Sequence, residues 1–64
     1  MELSLREKEV VKLLCLGYMD KEISEIMNIS SRTVQTYVER TMYKLHARNR
    51  LAMIATYVRE YEKL

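Results

Sequence analysis

The sequence predicts a single all-α domain made of four short helices, and three observations support that fold class. The chain has 64 residues, a length that allows one small hydrophobic core. It contains one glycine and no proline, whereas a β-sandwich or barrel needs many turns. Hydrophobic residues make up 48% of the chain and charged residues 31%, a composition that argues against disorder.

The first helix is predicted to run from about Leu5 to Leu16. Ser4 and Glu7 have the Ser-x-x-Glu spacing of a capping box, which satisfies free backbone donors at a helix start. Gly17 is the natural stop, because glycine enters the left-handed conformation without steric cost. The apolar residues that repeat at helical spacing along this helix are Val10, Leu13, Leu14 and Tyr18.

A second and a third helix follow, joined by a short turn. Asp20 is a suitable N-cap for the second helix, which extends to about Met27. The segment Asn28-Ile29-Ser30 is typical of a tight turn with Ile29 directed inward, and Ser30 is the next N-cap. The third helix is predicted from about Ser31 to Leu45, with its end near His46. The apolar faces of these two helices consist of Ile23, Ile26 and Met27, and then of Val34, Val38, Thr41 and Leu45.

The fourth helix is predicted from about Arg50 to Tyr61, with Asn49 as its N-cap. The stripe suited to packing against the first helix and the core is Met53, Ile54, Tyr57 and Val58. The second and third helices, joined by a short turn, form a helix-turn-helix over about residues 20–45. We expect one domain over residues 1–64, with no linker and no internal repeat.

Several classes of function are excluded by what the sequence lacks. Cys15 is the single cysteine and His46 the single histidine, so neither an internal disulfide nor a Cys/His zinc site is expected. We expect Cys15 to be a buried, inert thiol. Ser4, Ser30 and Thr33 are expected to be caps or contacts and not nucleophiles, because no His-carboxylate arrangement exists for them. No catalytic residue, cofactor, metal or small-molecule ligand is predicted. Without a signal peptide or an apolar run of about 20 residues, the expected location is cytoplasmic and not the membrane.

The charge is unevenly distributed along the chain. Residues 1–30 carry a net charge of −2 and residues 51–64 a net charge of zero. Residues 31–50 contain five basic residues and one acidic residue, a net charge of +4. A basic stripe of this kind is the electrostatic footprint of an element that binds a polyanion. Charge alone does not distinguish this interpretation from a solvated basic face.

Short sequence motifs follow one another in a fixed order from about Leu3 to Val58. They are Leu3-Ser4, Arg6-Glu7, Glu9-Val10, Gly17, Lys21-Glu22-Ile23, Ile29-Ser30, Thr33-Val34, Lys44-Leu45 and Asn49-Arg50. In this order they resemble the LuxR-type (GerE/FixJ/NarL-like) DNA-binding domain. The resemblance implies a four-helix domain of a bacterial transcription regulator, which binds DNA through the helix-turn-helix and usually forms a homodimer through the fourth helix. It implies neither catalysis nor a metal.

The sequence departs from the pattern of this family at four positions. Tyr37 stands where the family often has histidine, Ser24 where it usually has alanine, and His46 where it usually has glycine or asparagine. We expect these three to leave the fold intact. Glu39 departs from the usual pattern of base contacts, because many members have a basic or neutral residue there. Most members also carry an N-terminal receiver or ligand-sensing domain. The chain therefore resembles the stand-alone GerE type, or a domain cut from a longer protein.

The outer face of the third helix is predicted to contact base edges in the major groove. At about 100° per residue, this face lies opposite the apolar stripe. The expected base contacts are Arg32, Thr36 and Glu39 on this face and Gln35 on one shoulder of it. Glutamine pairs bidentately with adenine, arginine pairs with guanine, and a glutamate can accept from the amino group of cytosine. For Glu39 the alternative is an intramolecular contact with Arg40, Tyr43 or a cation of the second helix.

A second set of residues is predicted to contact DNA phosphates, because hydroxyls and cations both donate to phosphate oxygens. The set is Lys21, Thr33, Tyr37, Arg40, Lys44 and Arg48. The family resemblance supports this role for Thr33, Tyr37 and Lys44. Lys21 lies at the start of the second helix, where the helix N-terminus also attracts anions. For Lys21 an ordinary exposed lysine is the alternative.

The fourth helix carries apolar or small residues away from its core stripe. They are Leu51, Ala52 and Ala55. Small residues allow helices to approach closely, and the resemblance implies dimerisation through this helix. The patch is small, so we expect a weak homodimer that DNA reinforces. The alternative is that these residues are ordinary scattered surface groups.

The leading hypothesis is a sequence-specific regulator of transcription that binds double-stranded DNA. The alternative from another class is a protein-interaction helix-turn-helix that pairs with another regulator or with RNA polymerase. Such a module would more readily place apolar residues at positions 32, 36 and 39, where the chain has polar ones. A related alternative is region 4 of a sigma factor, but the Asn49-Arg50 start of the fourth helix favours the LuxR type.

Overall fold

A computed structural model of the chain describes residues 2–62, so the two ends of the predicted domain lie outside the described residues. Within these residues the secondary structure consists of four helices, and no strand is present. They are α1 (Leu5–Cys15), α2 (Asp20–Met27), α3 (Ser31–Lys44) and α4 (Arg50–Tyr61). The predicted fold class is confirmed, and each helix boundary agrees with the sequence prediction to within one residue. No helix in this range combines the length and hydrophobicity of a bilayer span.

Three of the predicted helix starts are confirmed by their capping hydrogen bonds. The Ser4 N–H donates to Glu7 Oε1 at 2.8 Å, and the Glu7 N–H donates to Ser4 Oγ at 3.1 Å, which completes the capping box. Ser30 Oγ accepts from the Thr33 N–H at 3.0 Å. Asn49 Oδ1 accepts from the Ala52 N–H at 2.8 Å. These caps satisfy donors that the first turn of each helix leaves without an internal partner.

The prediction that Asp20 is the N-cap of the second helix is wrong. Met19 occupies the cap position, and its N–H donates to Glu22 Oε1 at 2.8 Å. Asp20 is instead the first residue of α2, and both of its carboxylate oxygens accept hydrogen bonds from Arg50. A fork of two charge-assisted hydrogen bonds is stronger than one cap contact, which explains the orientation of this carboxylate.

The turns after α1, α2 and α3 each contain a residue with left-handed backbone. Gly17 ends α1 with a φ of 94°, as the sequence predicts. Asn28 and His46 each have a φ of 56° and follow α2 and α3. Asparagine and histidine are among the residues that adopt this conformation more often than most non-glycine residues. His46 is therefore the turn residue that ends the third helix.

One hydrophobic core joins the four helices. Its buried members are Leu3, Val10, Val11, Ile23, Met27, Val34, Val38, Met53 and Tyr57. α3 packs against each of the other helices, and α4 packs against α1 and α3. Ile29 lies partly buried against this core, which confirms the predicted inward direction of the turn. α3 is thus held on its inner side by helices that precede and follow it.

Three residues assigned to the interior are exposed instead. Ile26 is 54% exposed and Tyr18 is 40% exposed, although both continue an apolar pattern. Cys15 is also exposed, so the prediction of a buried thiol is wrong. Val11, which lies beside the predicted stripe of α1, is fully buried. The helical repeat locates an apolar face correctly only to within one position, because the neighbouring helices decide which flank is covered.

Candidate nucleic-acid interface

The turn between α2 and α3 is fixed by local hydrogen bonds. The Ile29 N–H donates to the Ser24 carbonyl at 2.9 Å, and the Ser24 hydroxyl donates to the Lys21 carbonyl at 2.6 Å. Ile29 packs on the core beneath the turn. The start of α3 is therefore held at a defined position relative to α2, as a helix-turn-helix requires.

The rotation of α3 about its own axis is fixed by its buried side. Val34 and Val38 are 0% and 1% exposed. Thr41 is also fully buried, and its hydroxyl donates to the Tyr37 carbonyl at 2.8 Å. Because these residues must face the core, the opposite side of the helix must face solvent.

The four predicted base-contact residues lie together on that solvent side. They line one shallow polar depression formed by Arg32, Gln35, Thr36 and Glu39. Arg32, Gln35 and Glu39 are exposed, while Thr36 is half-buried and its hydroxyl donates to the Arg32 carbonyl at 3.1 Å. The surface offers side-chain hydrogen-bond donors and acceptors at helical spacing. Base edges in the major groove are distinguished by hydrogen bonds to groups of this kind.

Glu39 forms none of the intramolecular ion pairs considered for it. Within residues 2–62, no basic side chain lies within 4.0 Å of its carboxylate. The carboxylate is exposed at the rim of the same depression that Gln35 lines. Glu39 is therefore available to a partner outside the domain.

The predicted phosphate-contact residues come from three parts of the helix-turn-helix region. Thr33, Tyr37 and Arg40 lie on α3, Lys21 lies in the first turn of α2, and Arg48 lies in the loop before α4. Lys21, Arg40 and Arg48 are exposed, whereas Thr33 and Tyr37 are half-buried. The Thr33 hydroxyl shares a 2.9 Å hydrogen bond with Ser30 Oγ at the start of α3. Three cations and two hydroxyl groups, contributed by α2, α3 and the loop before α4, thus remain predicted phosphate contacts.

Lys44, the sixth residue of that set, is bound within the domain. Its Nζ donates to Glu7 Oε1 at 2.9 Å and to the Glu2 carbonyl at 3.3 Å. Burial by itself would raise the pKa of Glu7, but hydrogen bonds from Lys44 and Ser4, with the Lys44 charge, hold that pKa below its ordinary value. The capping-box pattern revealed Glu7 at a helix start, and it contained no sign of this partner.

A second charged contact joins the starts of α2 and α4. Arg50 Nη1 and Nη2 donate to the two carboxylate oxygens of Asp20 at 2.7 and 2.8 Å. The hydrogen bonds from Arg50 hold the pKa of Asp20 below its ordinary value and raise the pKa of Arg50. The fork is half-exposed, with side-chain exposures of 41% and 33%. It anchors the helix-turn-helix to the fourth helix, a role that sequence analysis missed.

Acid is expected to destabilise the domain through these two carboxylates. The folded-state pKa values of Glu7 and Asp20 are lowered, so the unfolded chain binds protons more readily. Their stabilisation is therefore complete above the ordinary carboxyl pKa of about 4 and is lost as the pH falls through the lowered values. Urea denaturation between about pH 7 and pH 3 measures the change.

The variant Glu7→Gln should flatten this acid dependence, because it removes one of the two titrating groups. Glu25→Gln is the matched control, since Glu25 is exposed on α2 and forms no ion pair among the described residues. An equal loss of stability on acidification in wild type and Glu7→Gln would contradict the assignment.

The predicted dimer residues lie away from the core on α4. Leu51 is 79% exposed, Ala55 is exposed and Ala52 is half-buried. In contrast, Met53 and Tyr57 on the other side of the helix are buried. The structure thus separates the two faces of α4 as the sequence predicts.

Comparison with known proteins identifies the family. The profile described as "Bacterial regulatory proteins, luxR family" (GerE) matches residues 1–57. The chain is 36% identical over 63 residues to the tetrathionate response regulatory protein TtrR of Salmonella typhimurium, covering 98% of this chain and 29% of that protein. It is 41% identical over 49 residues to the transcriptional regulatory protein DesR of Bacillus subtilis, covering 77% of this chain and 25% of that protein. The chain thus spans less than a third of the length of these relatives. With most of its residues matched by the profile, the chain belongs to the luxR family of bacterial regulatory proteins.

Proposed function

We propose that this domain is a sequence-specific DNA-binding regulator of transcription, with α3 placed in the major groove of double-stranded DNA. The observation that carries the proposal is the solvent-facing surface of Arg32, Gln35, Thr36 and Glu39 on a helix whose opposite side is buried. Membership of the luxR family and the net charge of +4 over residues 31–50 support it. The proposed role involves binding alone, without catalysis or a cofactor.

Two sets of contacts have different tasks in this proposal. Gln35 and Arg32 pair with purine edges, and Glu39 accepts from a cytosine amino group, so this surface selects the sequence. Lys21, Arg40 and Arg48 bind phosphates together with the hydroxyls of Thr33 and Tyr37, and these contacts set the orientation of the domain. Their cations also provide the part of the affinity that does not depend on sequence.

The proposal includes binding as a homodimer through α4, in the cytoplasm, at a site with two half-sites. Leu51 and Ala55 are exposed on α4 and form the centre of the proposed contact, with Ala52 beside them.

RNA polymerase is a further proposed partner for a regulator bound beside a promoter. The protein-interaction alternative has less support, because the outer face of α3 is polar and not apolar.

Gln35→Ala is expected to relax sequence preference at one base pair of the half-site. The loss of a bidentate contact costs about 1–3 kcal/mol at that position. Selection of bound sequences from a random DNA pool, with wild type and variant side by side, measures the effect. Arg40→Gln is the control, because loss of a phosphate contact should weaken binding to all sequences about equally. An unchanged selected motif for Gln35→Ala would show that Gln35 does not contact a base.

A further inference from the structure

Lys44 is the last residue of the recognition helix α3, and its ammonium group is bound to Glu7 of α1 at 2.9 Å. The side chain of Glu7 is 3% exposed and that of Lys44 is 24% exposed. Among the ion pairs of residues 2–62, this is the most buried. Lys44 and Glu7 are 37 positions apart in the chain, so the pair connects two helices that are distant in sequence.

The contact extends beyond a single pair of charges. Glu7 Oε1 accepts from both the Ser4 N–H and Lys44 Nζ, and Lys44 Nζ also donates to the Glu2 carbonyl. The end of α3 is therefore joined to the segment that opens α1. At the other end, the Ser30 cap and the turn after α2 hold the start of α3. With both ends held, the tilt of the helix is determined as well as its rotation.

The same contact limits what Lys44 can do for DNA. Two of the three N–H donors of Lys44 are already used, by Glu7 and Glu2. Moving the ammonium to a phosphate would leave the Glu7 carboxylate buried without its cationic partner. Removing one partner of a buried ion pair is strongly destabilising, and counterion release at a phosphate would have to exceed that cost before Lys44 left Glu7.

We propose that Lys44 is a positioning residue of the DNA-binding surface, acting through Glu7 to set the tilt of α3, and that it is not a phosphate contact. This replaces the role that the sequence alone assigns to Lys44, and it rests on the proposed function. A small change of tilt moves Gln35 away from the base edge that it pairs with, because base pairing needs defined donor and acceptor positions. The long, exposed side chains of Lys21, Arg40 and Arg48 can still reach phosphate oxygens. Disruption of the pair should therefore reduce the preference for the selected sequence.

The experiment compares Lys44→Met, Glu7→Gln and their double variant with the control Arg40→Gln. Methionine keeps most of the apolar stem of Lys44, and glutamine keeps the acceptor for the Ser4 N–H. Dissociation constants are measured for the selected sequence and an unrelated sequence over a range of salt concentrations. The temperature is kept where circular dichroism shows each variant to be folded, so that lost stability does not appear as lost affinity.

We expect Lys44→Met to weaken binding to the selected sequence by about tenfold, equivalent to about 1.4 kcal/mol. Glu7→Gln should act in the same direction by a smaller factor, because glutamine Oε1 still accepts from Lys44 Nζ and only the charge of the pair is lost. Binding to the unrelated sequence should change little, and the salt slope should stay at its wild-type value. Arg40→Gln, in contrast, should reduce the slope by about one on both sequences. The double variant should be no weaker than Lys44→Met, because it leaves no unpaired buried charge.

A different pattern would overturn the assignment. If Lys44→Met lowers the salt slope by about one and weakens both sequences equally, while Glu7→Gln binds like wild type, Lys44 contacts a phosphate. If a single variant does not fold, the salt slope of the double variant is measured instead. A slope reduced by about one assigns Lys44 to a phosphate, and an unchanged slope supports the positioning role. Wild-type protein without salt-dependent DNA affinity would instead remove the proposed function, and the role of Lys44 with it.

Discussion

We expect the affinity of one domain for its DNA half-site to fall by about 10²–10³-fold between about 50 and 200 mM monovalent salt. The physical reason is the release of condensed counterions when cations neutralise phosphates. Each neutralised phosphate contributes about −0.9 to the slope of log affinity against log salt, and about four to six contacts are expected per domain. The lower end of this range corresponds to the exposed cations Lys21, Arg32, Arg40 and Arg48, because Lys44 and Arg50 of the basic segment are bound to Glu7 and Asp20. Fluorescence anisotropy titrations of a labelled half-site duplex measure the slope.

Two single-charge variants test whether the slope originates in the helix-turn-helix. Arg40→Gln removes an exposed cation of α3 and should reduce the slope by about one. Arg59→Gln removes an exposed cation from the last turn of α4, outside the basic segment, and should leave the slope unchanged. An affinity indifferent to salt in the wild-type domain would contradict an electrostatic interface.

The second large effect is expected for Leu51→Glu, which should abolish cooperative occupancy of a paired DNA site. A glutamate at the centre of the proposed dimer contact would have to be desolvated opposite its own copy across the two-fold axis. The proposed dimer is expected to be weak in solution, so DNA with two half-sites about one helical turn apart is used to raise its effective concentration. Gel-shift titrations on paired and single half-sites measure the cooperativity, and binding to the single half-site should stay unchanged.

The stability of Leu51→Glu should remain within about 0.5 kcal/mol of wild type, because the side chain is 79% exposed. Met53→Ala is the matched contrast on the same helix, since Met53 is fully buried. It should cost about 2–5 kcal/mol, a large part of the stability of a domain this small. Retained cooperativity in folded Leu51→Glu would show that Leu51 is an ordinary exposed residue and lies outside any dimer contact.

Helix positions and their capping were predictable because they depend on residues close together in the chain. The capping pairs Ser4–Glu7, Ser30–Thr33 and Asn49–Ala52 each span three positions, so a short pattern contains both partners. Gly17 needs no partner at all, because its backbone freedom is a property of the residue itself. The local error at Asp20 arose where a distant side chain competed for the same carboxylate.

The outer face of α3 was predictable for a related reason. In a helix the angle between residues is constant, so the positions of Val34 and Val38 determine which side remains for Gln35 and Glu39. The angular position of a residue says nothing about the charges that approach it from other helices. For that reason the sequence left open whether Glu39 is paired, and it contained no sign of the contact between Lys44 and Glu7.

The sequence by itself determined the four helices, three of their four N-caps and the polar face of α3, all of which follow from local chemistry and helical periodicity. Only the tertiary structure decided the partners of the charged residues at helix ends. Arg50 meets Asp20 across 30 residues and Lys44 meets Glu7 across 37 residues, and both acids also fit a local role at a helix start. An ion pair depends on where two helices come together in space, and that proximity results from packing of the whole core, which no local pattern encodes.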